Sequence, residues 1–206
     1  MHAEISEGLF ASYLSDLHIV FQRHYPVSGN RNVDFRIETP SVVLCDVKEV
    51  RDSGSQPGSE IDAYSHIRED LRDLRGKFKN TKPAEAVVLV TMNFSSKFFT
   101  ALTVARAMLG DVGVEFITGA RGEVKHLPRG NASLTKQGNT SISGVVVFDP
   151  EWGNHRYLAN PFASNPLPRG YFPGIDEIAL SRDAGEEQLV GLSQIMWWEY
   201  AGAEQP

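Results

Sequence analysis

Residues 33 to 50, VDFRIETPSVVLCDVKEV, constrain the fold more than any other stretch. Two extended runs rich in Val, Ile, Leu and Phe meet at a short turn, TPS, which predicts a β-hairpin; Pro40 cannot donate to a ladder, so the exact register stays open. The same stretch carries Asp34, Glu38, Asp46, Lys48 and Glu49. Side chains alternate faces along a strand, so Val43, Cys45 and Val47 share one face and Leu44, Asp46 and Lys48 the other. The apolar set is assigned to the core. Asp46 and Lys48 then stand side by side, and Asp34 on the partner strand can approach them across the hairpin.

The surrounding pattern sets the fold class. Ile5, Leu9, Tyr13, Leu17, Val20 and Phe21 recur at helical spacing and predict a helix over 4–25, ended by Pro26. VSGNRN reads as a loop, and RDSGSQPGSE after the hairpin as a polar connection of the kind that borders sites. Ile67, Leu71, Leu74 and Phe78 predict a helix over 61–78. AEAVVLVTMNF reads as a short buried strand, 97–109 as a helix and VGVEFIT as a strand. Residues 121–141 read as a long loop or an inserted hairpin. ISGVVVFD predicts a strand, and HRYLANPFASNPLPRGYF a strand running into a proline-punctuated segment. A last helix is expected over about 185–200. The order predicts an α/β fold, a mixed sheet flanked by helices. At 206 residues without repeats or a clear linker, one domain is expected over 1–206, with a core over about 4–120 and an elaboration over about 121–206.

A carboxylate pair with a lysine has a definite chemistry. The carboxylates hold a hard divalent cation through oxygen, and the lysine orients or deprotonates water or stabilises charge developing on a phosphate. Asp34 in VDF, followed twelve residues later by Asp46-Val47-Lys48, resembles the motif of the PD-(D/E)XK nuclease superfamily, the restriction-endonuclease-like fold. Val33 stands where the name-giving proline would be. The resemblance covers about residues 4–94, and the later VVVFDPEWGNHRYLANPFASNPLP also looks like the tail of uncharacterised members.

The resemblance implies a Mg²⁺- or Mn²⁺-dependent enzyme hydrolysing phosphodiester bonds of nucleic acid, with DNA the first expectation. Asp34, Asp46 and the Val47 carbonyl would be metal ligands and Lys48 the water-activating group. Glu7, or Glu4 beside it, would complete the metal's ligands from the first helix, and His66 or Arg68 would line the site from the second. Many enzymes of this fold cut two strands with two copies, so a homodimer is compatible with the reading. The alternatives are a catalytically inactive module of the same fold binding nucleic acid or a protein partner, and a structural domain whose hairpin charges form a solvated cross-strand ion pair.

On the second predicted helix, Arg68, Arg72, Arg75 and Lys79 form a basic rail one position after the apolar stripe. It reads equally as phosphate-backbone contact or as a solvated face paired with Glu69, Asp70 and Asp73. His66 is more often structural than catalytic in such a place. Glu38 reads as a surface residue, and Glu49 points away from Lys48 by alternation. The remaining histidines show no paired zinc-ligand spacing, Cys45 reads as a small buried hydrophobe, and Trp197 and Trp198 read as packing or oligomer contacts. No serine-hydrolase, Walker or dinucleotide pattern occurs. The formal net charge of −6 argues against coating nucleic acid or anionic membrane by bulk attraction, while leaving a local basic groove open. A single cysteine, no signal-like N-terminus and no long apolar run give the expectation of a cytoplasmic protein without membrane contact.

Overall fold

Seven strands hydrogen-bond into one mixed sheet, and its centre lies between helices. The computed structural model describes residues 2–28, 31–51, 63–78, 83–94, 101–116, 124–130, 132–136, 138–151 and 153–180. In chain order the elements are α1 (His2–Asp16), β1 (Phe21–Ser28), β2 (Arg31–Ile37), β3 (Val43–Arg51), α2 (Ala63–Lys77), β4 (Ala86–Phe94), α3 (Ala101–Leu109), β5 (Asp111–Phe116), β6 (Val124–Gly130), β7 (Ile142–Phe148), β8 (Arg156–Ala159) and β9 (Asp176–Ala179). The sheet order is β1-β2-β3-β4-β7-β8-β9. β1, β2 and β3 form an antiparallel meander; β3, β4 and β7 run parallel; β8 is antiparallel to β7, and β9 parallel to β8.

The central strands β4 and β7 are buried along almost their whole length, as continuous aliphatic runs covered on both faces must be. On one face Leu44, Val50, Leu89, Val145 and Val147 pack beneath α2, through Ile67, Leu71 and Leu74, and beneath α3, through Val104 and Met108. On the other, Phe35, Cys45, Val47, Val88, Val90 and Phe148 pack beneath α1, through Phe10 and Leu14, and beside Tyr171 and Phe172. Phe10 meets the edge of Phe35 at 5.2 Å between ring centroids, which locks α1 over the hairpin.

The helix expected over 4–25 is shorter, because its last turn is closed early. His18 takes φ +55°, with Ile19 N–H donating to the Leu14 carbonyl and His18 N–H to the Ser15 carbonyl. This paired 6→1 and 5→2 arrangement around a left-handed residue ends a helix. Residues from Phe21 onward pair with β2 instead. Phe21 fits a helical period as well as a strand's, and its ring packs on Phe35 at 5.5 Å.

The β2–β3 hairpin, α2, β4, α3 and β7 form where the sequence expects them. β5 and β6 pair with each other as a separate two-stranded sheet, so the strand expected at VGVEFIT pairs with residues 124–130 of the segment expected as a long loop or an inserted hairpin. β7, β8 and β9, from the region expected to be an elaboration, belong to the main sheet. The expected helix over 185–200, and the connection at 52–60, lie outside the described residues.

Candidate metal centre

The ladder between β2 and β3 is short. Ile37, Arg36 and Phe35 pair with Val43, Leu44 and Cys45, and there the pairing ends. β3 continues against β4 as far as Arg51, while β2 continues against β1 as far as Arg31. The two strands therefore part at Asp34 and Asp46, the first positions beyond the ladder. In the gap, Val47 N–H donates to Asp34 Oδ2 at 2.6 Å. A carboxylate bond of this length is charge-assisted and fixes the side chain within the opening.

Asp46 is fully buried on the face covered by α2. Lys77 at the end of that helix brings Nζ to 2.5 Å from Oδ1, and Lys48 Nζ stands 3.9 Å from Oδ2. Oδ2 itself accepts no hydrogen bond among the described residues. Burial, followed by the charge of Asp34, raises the Asp46 pKa to about 6 despite the two lysines. The charge of Asp34 acts on Asp46, and Lys48, its side chain one-third exposed, stands at the Asp46 carboxylate.

From the other face, Glu7 on α1 is brought to Asp34. Its carboxylate, Asp34 and the His24 imidazole place one ligand atom each within 4.8 Å of one another. Glu7 also pairs with Arg23 at 2.9 Å. His24 falls between the pairs Arg23↔Phe35 and Tyr25↔Val33, opposite Asp34, and takes φ +52°. Glu4 is exposed. Glu49 lies on the α1 face, where it accepts from Ser6 Oγ at 2.6 Å, away from Lys48 as alternation requires.

The expected lining from α2 is rearranged. His66, Arg72 and Arg75 are exposed and Arg68 half-buried, while Lys79 lies outside the described residues. Among the described residues of α2, Lys77 pairs with Asp46, and Asp70 interacts electrostatically with Lys48 and Asp46. Burial raises the Asp70 pKa to about 7, opposed by the charge of Lys48. In the sequence, Asp70 reads as a partner for the arginines, and Lys77 lies outside the basic rail. They are seven residues apart and directly precede Leu71 and Phe78 of the apolar stripe, so they share its site-facing border. Thr91, in register with Lys48 on β4, was also overlooked; it is fully buried and its hydroxyl has no hydrogen-bond partner among the described residues. His24 had no spacing signal, since Glu7, His24 and Asp34 come from three elements and meet through tertiary structure.

The fit to a cation can be judged from the donors. Asp46 is buried and ion-paired with Lys77 through Oδ1, while Oδ2 keeps no hydrogen bond among the described residues and stands 3.9 Å from Lys48 Nζ; a divalent ion would satisfy this oxygen. No family model, curated protein or solved structure matches the chain.

Proposed function

We propose that this chain is a restriction-endonuclease-like, PD-(D/E)XK-type nuclease that hydrolyses phosphodiester bonds of nucleic acid with Mg²⁺ or Mn²⁺. One observation carries the reading: β2 and β3 part where Asp34 and Asp46 stand, leaving Asp46 Oδ2 buried and unbonded two residues before Lys48. Asp34 and Asp46 would hold the ion, joined by Glu7 and, by resemblance, by the Val47 carbonyl. The ion, when bound, would polarise the phosphate and lower the pKa of a water. Asp34, tied to Val47 N–H, keeps its orientation relative to β3. Lys48 orients the attacking water and balances charge developing on the phosphate oxygens.

A second reading, a catalytically inactive module of this fold that binds nucleic acid or a protein partner, is favoured by the Lys77 ammonium resting on Asp46 Oδ1, where it neutralises the carboxylate without a metal.

The test is to incubate the purified chain, Asp46→Asn and Lys48→Ala with plasmid, linear single-stranded DNA and RNA, in Mg²⁺, in Mn²⁺ and in EDTA. Cleavage by the unmodified chain, lost in EDTA and reduced at least about 10²-fold in both variants, is expected. Nucleic-acid binding without cleavage under either metal would establish the second reading.

A further inference from the structure

We propose that Thr91 is a positioning residue for Lys48: when nucleic acid is bound, its hydroxyl accepts a hydrogen bond from the Lys48 ammonium and holds that group away from Asp46. The inference rests on the reading of Lys48 as the group that orients water and balances charge, and adds the residue that places it.

The sheet gives Thr91 one polar neighbour in its own row. On β4, Val87 and Leu89 turn to the face beneath α2, and by alternation so does Thr91. Its partners in register are Lys48 on β3 and Val147 on β7. Valine offers no donor or acceptor, so within this row only the lysine can bond the hydroxyl. Adjacent strands lie about 4.8 Å apart, a span that a four-carbon stem can fold across. The next polar side chain along β4, Asn93, is turned to Asp149, with Nδ2 3.4 Å from Oδ2.

Neither partner is held in this arrangement of the chain. Thr91 is fully buried, and its Oγ1 has no hydrogen-bond partner among the described residues. The Lys48 ammonium carries three donors, yet it stands 3.9 Å from Asp46 Oδ2, beyond hydrogen-bond length. Lys77 already neutralises that carboxylate through Oδ1 at 2.5 Å, so Asp46 does not need Lys48 as its counter-ion. The Lys48 side chain is one-third exposed whereas Thr91 is buried, so the lysine is the partner that moves.

Packing alone does not account for a threonine at this position. Valine has nearly the same shape and would fill the same space in a strand of aliphatic residues, without burying a hydroxyl that bonds nothing. What the hydroxyl adds is an acceptor beside the lysine. An ammonium held by one donor keeps two more for water or a phosphate oxygen.

The experiment compares the full chain with Thr91→Val, which removes the hydroxyl at nearly equal volume, and Thr91→Ser, which keeps it. In urea titrations with EDTA, Thr91→Val is expected to unfold at the same or a higher denaturant concentration than the unmodified chain. A clearly lower midpoint would show a hydroxyl already bonded in the resting fold and overturns the proposal. In cleavage assays with Mn²⁺, Thr91→Val is expected to lower kcat about tenfold with KM within about twofold, Thr91→Ser to stay within about threefold of the unmodified chain, and Thr91→Val to add nothing to Lys48→Ala. Full kcat in Thr91→Val, or a loss that adds to that of Lys48→Ala, overturns the proposal and leaves the nuclease reading standing. Crystals of the unmodified chain with Mn²⁺ and a phosphorothioate DNA oligonucleotide are expected to place Lys48 Nζ within about 3.2 Å of Thr91 Oγ1. Lys48 still beside Asp46 in those crystals overturns the proposal whether or not the chain cleaves. Lys48 seated on Thr91 in a chain that cleaves nothing removes the nuclease reading and leaves the positioning contact.

Discussion

Among the described residues, two carboxylic acids are held against their ordinary ionisation. Asp46 titrates near 6 and Asp70 near 7, against an ordinary value of 3.8, and in both the larger cause is burial. A raised carboxyl pKa means that the fold favours the protonated form. The associated stability is fully present below about pH 4 and is lost as pH rises through about 6 for Asp46 and about 7 for Asp70. At about 1.4 kcal/mol per unit, ionising the fully buried Asp46 costs about 3 kcal/mol at neutral pH. In EDTA, urea titrations from pH 4 to pH 7.5 are expected to show the unmodified chain losing stability relative to the Asp46→Asn, Asp70→Asn double variant. Parallel profiles would contradict the burial of these two charges. A chain that bears such a cost at the border of two parting strands is consistent with keeping Asp46 for a cation rather than for packing.

At the scale of elements, the sheet constrains its own neighbours tightly. Gly144 on β7 lies where an added Cβ would stand 2.4 Å from the Leu158 carbonyl oxygen of β8 and 2.6 Å from the Tyr157 ring. A backbone oxygen cannot step aside as a flexible side chain can, so Gly144→Ala is expected to cost at least about 3 kcal/mol by denaturant unfolding. A loss below about 1 kcal/mol would mean that β8 shifts freely. The elements legible in the sequence were those with one unambiguous period: the β2–β3 hairpin, the buried aliphatic strands β4 and β7, and the α2 stripe of Ile67, Leu71, Leu74 and Phe78. β1 was not legible, because Val20 and Phe21 satisfy helical and extended spacing alike, and the helix end depends on a histidine, not a glycine, at the left-handed position. β9, with the sequence DEIA, carries no run that marks a strand and forms against β8 through tertiary context. Of the site, Asp34, Asp46 and Lys48 could be placed by alternation within one hairpin. Lys77, Asp70 and His24 could not, since each reaches the site from another element.

At the scale of the whole molecule, among the described residues the β1–β2 pair parts from β3 beyond Phe35 and Cys45, and α1 brings Glu7 to Asp34 there. Among the described residues no helix is long and apolar enough to cross a membrane. Under the proposed function an acidic chain would hold nucleic acid by a local basic surface, and Arg72 and Arg75 are exposed on α2, the helix that also carries Lys77 to Asp46. Replacing both arginines with alanine is expected to raise KM for nucleic acid about tenfold, leave kcat within about twofold, and lower the salt dependence of binding by about two counterions. An unchanged salt slope would assign them to a solvated helix face. The most direct test of the central claim is the anomalous scattering from crystals soaked in Mn²⁺. The expected result is a peak in the gap between β2 and β3, at roughly 2.0–2.4 Å from oxygens of both Asp34 and Asp46. A map with no peak there, and with Lys77 still seated on Asp46, would contradict the metal centre and the catalytic reading built on it.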